Sequence, residues 1–448
     1  MMSFRNLSFG FAGCAVAASL LLAAPAQATS SIERVVSPGG IEAWLVREPS
    51  IPLIAMEFSF RGGANQDPAD KPGVAYMMAN ALDEGAGDMD SKAFQQRAER
   101  NAVVLAFRAS RDEVRGSLKV MTTRSAEGFD LLRLALTQPR FDDEAVERLR
   151  ALMMTALRRE TTNPSNIGSR LWWSTAFPEH PYGRPLNGTL EAVPGIKPDD
   201  LRAYAGRVLG RDNLKIGVVG DIDAKALGTM LDQVFGALPA KADLREIPPA
   251  SLEAVGKKLH VELDVPQTVV NFGGLGIARK DADFIPAFIV NHILGGGSFS
   301  SRLYAEVREK RGLAYSVYSY LLPLDVASLF MGGTQTRADR ADETVGLIES
   351  EIKRLADNGP TVEELDKSKS YLKGSYALGF DTSTKIAAQL VQLQVDELGI
   401  DYWERRNGLI EAVTLDDVKR VARRLLNGGV LVTSVGRTQQ NKAAKQGG

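Results

Sequence analysis

Two rhythms of apolar residues take turns along this chain, one alternating every second position and one recurring every three to four. IEAWLV from Ile41 and LIAMEFSF from Leu53 read as neighbouring strands, a helix is predicted from Gly73, and VVLAFRAS from Val103 returns to strand. Residues 144–159 form a long helical pattern charged on one face. The β-branched runs LKIGVVGDID from Leu214 and GVLVTSVGR from Gly429 read as buried strands. This order of elements predicts an α+β fold, a mixed sheet with helices packed on one face.

The pattern is stated twice. PDDLRAYAGRVL at 198–209 and LDDVKRVARRL at 415–425 both open on an acidic first turn and continue at helical spacing. Asp200 and Asp417 lie 217 residues apart (417 − 200). FDDEAVERLRALMMTAL at 141–157 matches TVEELDKSKSYLKGSYAL at 361–378, with Glu144 and Glu364 at a spacing of 220 (364 − 144). Two agreements at almost one offset point to a duplicated domain, since the period is far longer than that of any solenoid repeat. The Pro- and Ala-rich stretch around residues 236–258 has no strong periodicity and marks the boundary. The expected division is 29–240, a linker at 241–258, and 259–438.

Composition narrows the class without naming a function. The 448 residues are 44% hydrophobic and 24% charged, enough for two or three well-buried cores. A formal net charge of −1 gives no sign of a nucleic-acid partner. At the N-terminus, Arg5, the apolar run at 15–24 and Ala26-Gln27-Ala28 have the layout of a cleaved signal peptide ending near Ala28, too short for a stable membrane anchor. Cys14, the one cysteine, falls inside that segment. Most of the apolar core follows Cys14, which disfavours lipoprotein processing there. A mature chain without cysteine suits an oxidising, periplasmic compartment. The polar tail at 439–448 reads as disordered.

Residues 61–87 read RGGANQDPADKPGVAYMMANALDEGAG, and residues 293–319 read ILGGGSFSSRLYAEVREKRGLAYSVYS. With HPYG at 180–183 and the VVGDID strand end, these stretches resemble the insulinase, pitrilysin and mitochondrial processing peptidase family, in its half-length bacterial type with two similar domains. The resemblance covers essentially the whole mature chain and implies two duplicated domains forming half of a clam-shell chamber. It also implies a zinc motif H-x-x-E-H, whose imidazoles hold the metal and whose Glu is the general base. Here those positions are Tyr76, Ala79 and Asn80. The family's downstream Glu aligns with residues 155–157, none of which is a ligand, and nearby Glu160 alone holds no zinc. His180, His260 and His292 are scattered in sequence. No cofactor is expected in this chain.

The second-domain half of the motif is intact. In the family an Arg and a Tyr of that domain reach the substrate peptide near the metal, and Arg308 and Tyr315 match them in type and spacing. A guanidinium suits a peptide carbonyl and a phenol suits an oxyanion. The competing reading gives Arg308 a salt bridge and Tyr315 a place in a core. Gly295, Gly296 and Gly297 resemble a shortened substrate-contacting loop, or equally a strand-to-helix turn that packs closely. Trp172 and Trp173 fit a core or interface, HPYG fits a turn, and Asp83 and Glu84 are neighbours on one helix and cannot face each other as a dyad.

The resemblance then implies a zinc-less subunit of an exported heteromeric peptidase. It would lend Arg308 and Tyr315 to a zinc-bearing relative and grip extended peptides along a sheet edge. A structural or peptide-capture protein, and an active peptidase with differently placed ligands, are the alternatives.

Overall fold

The computed structural model describes residues 31–437; the expected signal segment and the tail from Gln439 lie outside them. The first half runs β1 (Glu33–Val36), β2 (Glu42–Arg47), β3 (Leu53–Arg61), α1 (Val74–Ala81), the short β4 (Gly85–Ala86) and β5 (Met89–Asp90), then α2 (Ser91–Arg100). It continues β6 (Val104–Ala109), β7 (Glu113–Met121), α3 (Ser125–Thr137), α4 (Asp143–Glu160), α5 (Pro164–Ala176), α6 (Pro198–Val208), β8 (Leu214–Gly220) and α7 (Ala224–Phe235). The second half runs β9 (Lys258–Glu262), β10 (Gln267–Leu275), α8 (Phe284–Asn291), β11 (Ala314–Pro323), β12 (Ser328–Arg337), α9 (Ala341–Asn358) and α10 (Val362–Gly374). It closes with α11 (Ser383–Val395), α12 (Tyr402–Ala412), α13 (Leu415–Leu426) and β13 (Leu431–Gly436).

The sheets repeat one topology. The first has the order β1-β2-β8-β3-β7-β6 and the second, read from its far edge, β9-β13-β10-β12-β11. In each, one pair (β2 with β8, β9 with β13) is parallel and the remaining pairings are antiparallel; β1 adds to the outside of β2 in the first sheet alone. The strands β2 and β3, expected side by side, are separated by β8, which returns after α6 and pairs with both. The repeated acids have one local role. Asp200 and Asp417 are each the third residue of their helix, accepting from the backbone N–H of Lys197 (2.8 Å) and Thr414 (3.0 Å).

Each half lays its own helices on one face of its sheet, as the apolar pattern predicts. The other face is closed by a helix from the opposite half. Along β2, Ala43 and Leu45 point into the first half's core, while Trp44 and Val46 meet Ala387, Leu390 and Leu393 of α11. Along β12, Phe330 points into the second half's core, while Leu329 and Met331 meet Trp172 and Trp173 of α5. The backbone contacts are reciprocal too. Trp172 Nε1 donates to the Leu431 carbonyl of β13 (3.2 Å), and Gln394 Nε2 of α11 donates to the Ile216 carbonyl of β8 (2.8 Å).

Both crossings use a glycine. A Cβ on Gly217 would stand 2.5 Å from the Ala387 carbonyl oxygen, and one on Gly273 would stand 2.6 Å from the Trp172 ring. Both helices therefore lie close enough to the sheets that no side chain fits beneath them.

A polar latch joins the halves at one end. The HPYG segment forms a tight turn, Pro181–Gly183, whose Tyr182 is fully buried. Tyr182 Oη donates to Asp112 Oδ1 (2.7 Å) and accepts from Val326 N (3.2 Å) in the β11–β12 turn. Asp112 also accepts from Asp325 N (3.1 Å) and Asn65 Nδ2 (2.9 Å), and Arg61 pairs with Asp325 at 2.6 Å. Residues 236–257 cross between the halves with no helix or strand. They are pinned by bonds such as Arg245 N to Gln66 Oε1 (2.8 Å) and Ala250 N to Val326 O (3.0 Å).

Two outcomes are expected. Trp172→Ala removes a fully buried ring at the exchange and costs about 3–5 kcal/mol, and calorimetry gives one transition for both halves; two separate transitions would contradict the exchange. Tyr182→Phe leaves Val326 N without its partner and costs about 1–3 kcal/mol in urea denaturation.

Candidate functional site

The helix α1, which carries the expected metal positions, is built with care. Its N-cap Gly73 sits at φ 102°, packed against Gly188, where a side chain would be strained. Asp67 reaches forward to cap it, accepting from Gly73 N (2.7 Å) and Ala75 N (2.8 Å). Burial pushes the Asp67 carboxyl up to about 7, against those two bonds that favour its charge. The apolar stripe Val74, Ala75, Met77, Met78 and Ala81 fixes the helix in the first core.

At the metal positions, Ala79 is fully buried and offers no donor atom. Asn80 turns its amide back onto the Tyr76 carbonyl (2.8 Å). Tyr76 packs beside the core and borders a cavity of about 330 Å³. Across from α1, the buried residues of α4 are Ala145, Val146, Leu149, Met153 and Leu157. The downstream position thus has exposed Thr155 and Ala156 or buried Leu157. One phenol, one committed amide and aliphatic side chains do not fit a zinc ion, which needs three or four imidazole, thiolate or carboxylate ligands.

The histidines do not repair the site. His180 bonds the Pro248 carbonyl and Tyr182 N, His260 on β9 bonds Ser434 Oγ, and His292 bonds Ser368 Oγ. Among the described residues, no group of three His, Cys, Asp or Glu side chains is placed to hold a metal ion.

The cavity does bring Tyr76 and Glu160 together, but Glu160 is fully engaged. Its Oε2 accepts from Arg170 (2.6 Å) and its Oε1 from Asn187 Nδ2 (2.7 Å). Arg111, Arg184, Trp173 and Ser169 complete much of the wall. None of the arginines stood out in the sequence. Arg184 and Asn187 lie within four residues after HPYG, the one nearby motif in the sequence. Asp83 and Glu84 diverge: Glu84 pairs with Arg148 and Ser91, while burial pushes Asp83 up to about 6.

In the second half, the Arg and Tyr of the motif meet. Residues Tyr304–Glu309 form a wide π-helical turn, and the Arg308 guanidinium lies 4.9 Å from the Tyr304 ring centroid and 4.5 Å from that of Tyr315. The neighbouring cations are spent on the buried Glu306, with Lys310 and Arg311 each at 2.6 Å. Arg308 itself has no ion pair or side-chain hydrogen bond among the described residues.

Tyr315 is 81% exposed, and the reason is a β-bulge. Between the register pairs Ala314–Thr336 and Val317–Thr334, Tyr315 and Ser316 face a single residue of β12. Thr334 and Thr336 hold the bulge by donating to the Ser316 and Leu313 carbonyls, both at 2.7 Å. Neither the salt bridge nor the core position weighed for this pair is present.

The glycines divide differently from expectation. They follow helix α8, not a strand, in a π-helical turn His292–Gly296. A Cβ on buried Gly295 would meet Ser319 Oγ at 2.5 Å, and one on buried Gly297 the His292 carbonyl at 2.8 Å. These two are packing residues, and only Gly296 is exposed.

Comparison with known proteins agrees with this arrangement. A family model described as "Insulinase (Peptidase family M16)" matches residues 45–190, and one described as "Peptidase M16 inactive domain" matches 195–372. The "Non-peptidase homolog YmxG" of Helicobacter pylori is 28% identical over 74% of this chain and 77% of its own length. An "Uncharacterized zinc protease" of Streptomyces coelicolor is 25% identical over 93% and 92%. The crystal structure of a peptidase M16 inactive domain from Pseudomonas fluorescens superposes with a TM-score of 0.86 at 28% identity, over 91% of this chain and 98% of that one. From the duplicated sheets, the preserved α1 scaffold and these matches, the chain belongs to the insulinase family, peptidase family M16, as a half-length member whose metal positions carry no zinc ligands.

Proposed function

We propose that this chain is the non-catalytic, substrate-binding subunit of an exported heteromeric zinc peptidase, working with a zinc-bearing relative on extended peptides. The observation that carries the reading is a contrast within one molecule. The metal positions are Tyr76, Ala79 and Asn80, while Arg308 is held between two rings with no carboxylate to neutralise it, beside an exposed phenol.

The chemistry follows from donor types. Arg308 presents N–H groups suited to a peptide carbonyl, and its stacking between Tyr304 and Tyr315 limits the side-chain freedom lost on binding. Tyr315 Oη can donate to an oxyanion. Metal chemistry belongs, in this reading, entirely to the partner. Extended peptides fit because β6 and β11 each end their sheet, the position at which a further strand adds. Export rests on the N-terminal pattern alone: Arg5, the apolar run and Ala26-Gln27-Ala28.

The purified mature chain should contain no stoichiometric zinc by elemental analysis and cleave no unstructured peptide alone. Mixed with a zinc-bearing relative from the same organism, cleavage should appear. In the mixture Tyr315→Phe should lower kcat by on the order of a hundredfold, and Arg308→Ala should raise KM. Bound zinc with cleavage by the chain alone would overturn the reading. Inertness in both settings would leave peptide capture or a structural role.

A further inference from the structure

The cavity beside Tyr76 holds more positive charge than its ion pairs consume. Three guanidinium groups line it, those of Arg111, Arg170 and Arg184, with Glu160 as the one carboxylate in its wall. Glu160 is taken by Arg170 and Asn187. Arg184 makes one bond, to the Asp67 carbonyl at 3.3 Å, and Arg111 makes one, from Nε to the Tyr182 carbonyl at 3.3 Å. Neither has an ion pair among the described residues.

The acids nearby are committed elsewhere. Asp112 receives Tyr182, Asn65 and the Asp325 backbone, and Asp67 receives the first N–H groups of α1. Burial also pushes Asp67 up to about 7, which weakens it as a counter-charge near neutral pH. Arg111, by contrast, stays charged there, since burial lowers it only to about 10.

The geometry of Arg111 is already set. Its guanidinium carbon stands 3.4 Å from the centroid of the Trp173 ring, which fixes the plane of the fork and leaves its terminal amino groups unbonded. A planar, pre-oriented guanidinium is the best side-chain partner for a carboxylate, because two parallel N–H groups meet two oxygens. The cavity volume of about 330 Å³ is at the small end of ligand pockets, enough for an acidic side chain or a chain terminus. Its wall also includes Ala109, the last residue of the edge strand β6. A strand that adds to the six residues of β6, a run of about 20 Å, passes the cavity at that end.

We propose that this cavity is a carboxylate-binding subsite in which Arg111 and Arg184 take an acidic group of an extended peptide paired along β6. The group is either the C-terminal carboxylate or an Asp or Glu side chain. The pocket beside Tyr76, one of the former metal positions, thereby reads charge. The inference rests on the extended-peptide part of the proposed function and not on the zinc-bearing partner.

The test is direct binding to the mature chain alone, by fluorescence anisotropy. Three N-terminally labelled octapeptides of otherwise neutral sequence serve as probes: one with a free C-terminus, one amidated, and one amidated with a glutamate as its last residue. At least one acidic form should bind roughly ten- to a hundredfold more tightly than the neutral amide. Which form gains identifies the source of the carboxylate. Arg111→Gln and Arg184→Gln should each remove most of that gain while leaving the neutral amide's affinity unchanged. Arg184→Gln carries the test if Arg111→Gln proves poorly folded by circular dichroism. Equal binding of all three forms, or a preference that survives in the folded variants, would overturn the subsite and leave peptide binding intact. No binding of any form would overturn the extended-peptide reading itself, and the subsite with it.

Discussion

A sheet with apolar side chains on both faces needs two coverings, and here each second covering comes from the other half of the chain. The α5 tryptophan that closes the second sheet bonds a strand 259 residues away, and the α11 glutamine that closes the first bonds a strand 178 residues away. Because the exchange is mutual, neither sheet is complete alone. The loop-closure entropy of such distant contacts grows only slowly with separation, so the arrangement is thermodynamically cheap. Its cost is kinetic, since non-local pairings slow folding. The latch of Tyr182, Asp112 and Asp325 then sets one end of the interface, and with it the walls of the cavity beside Tyr76.

This construction explains how the metal position can lose its chemistry while its scaffold persists. The placement of α1 depends on the Asp67 cap, the close approach of Gly73 and Gly188, and a buried methionine and alanine stripe. None of these uses a side chain at the metal positions Tyr76, Ala79 and Asn80. Ala79 and Asn80 could replace ligands without disturbing the helix, because one fills buried space and the other bonds its own backbone. The second-half pair is held just as independently, by a π-helical turn and a bulge.

Much of the fold could be read from local patterns. The acidic first turns that revealed the duplication are real capping devices at Asp200 and Asp417, and capping is a short-range effect that sequence carries well. The reading of helices on one face of each sheet missed the exchange, although its trace was present. In β2 and β3, Trp44-Leu45-Val46 and the run from Leu53 are apolar at successive positions, as strands buried on both sides are. What fills the second face is a matter of long-range topology, as is the insertion of β8 between β2 and β3. At the site, the loss of metal ligands and the Arg308–Tyr315 pair were legible because they sit in contiguous motifs. The arginine cavity was not, because Arg111, Arg170 and Arg184 come from separate segments and only their unequal pairing gives them meaning.

The bulge that pushes Tyr315 outward also shapes the edge of its sheet. β11 is the exposed outer strand of its sheet and carries Tyr318 and Tyr320 on its surface, the composition of a strand prone to stack with copies of itself. Two residues set against one break the even spacing of its free N–H and carbonyl groups, so a second molecule meets no regular ladder at that end. The same irregularity that offers a phenol to solvent thus leaves the start of this edge without a regular ladder, while Val317–Pro323 keep theirs.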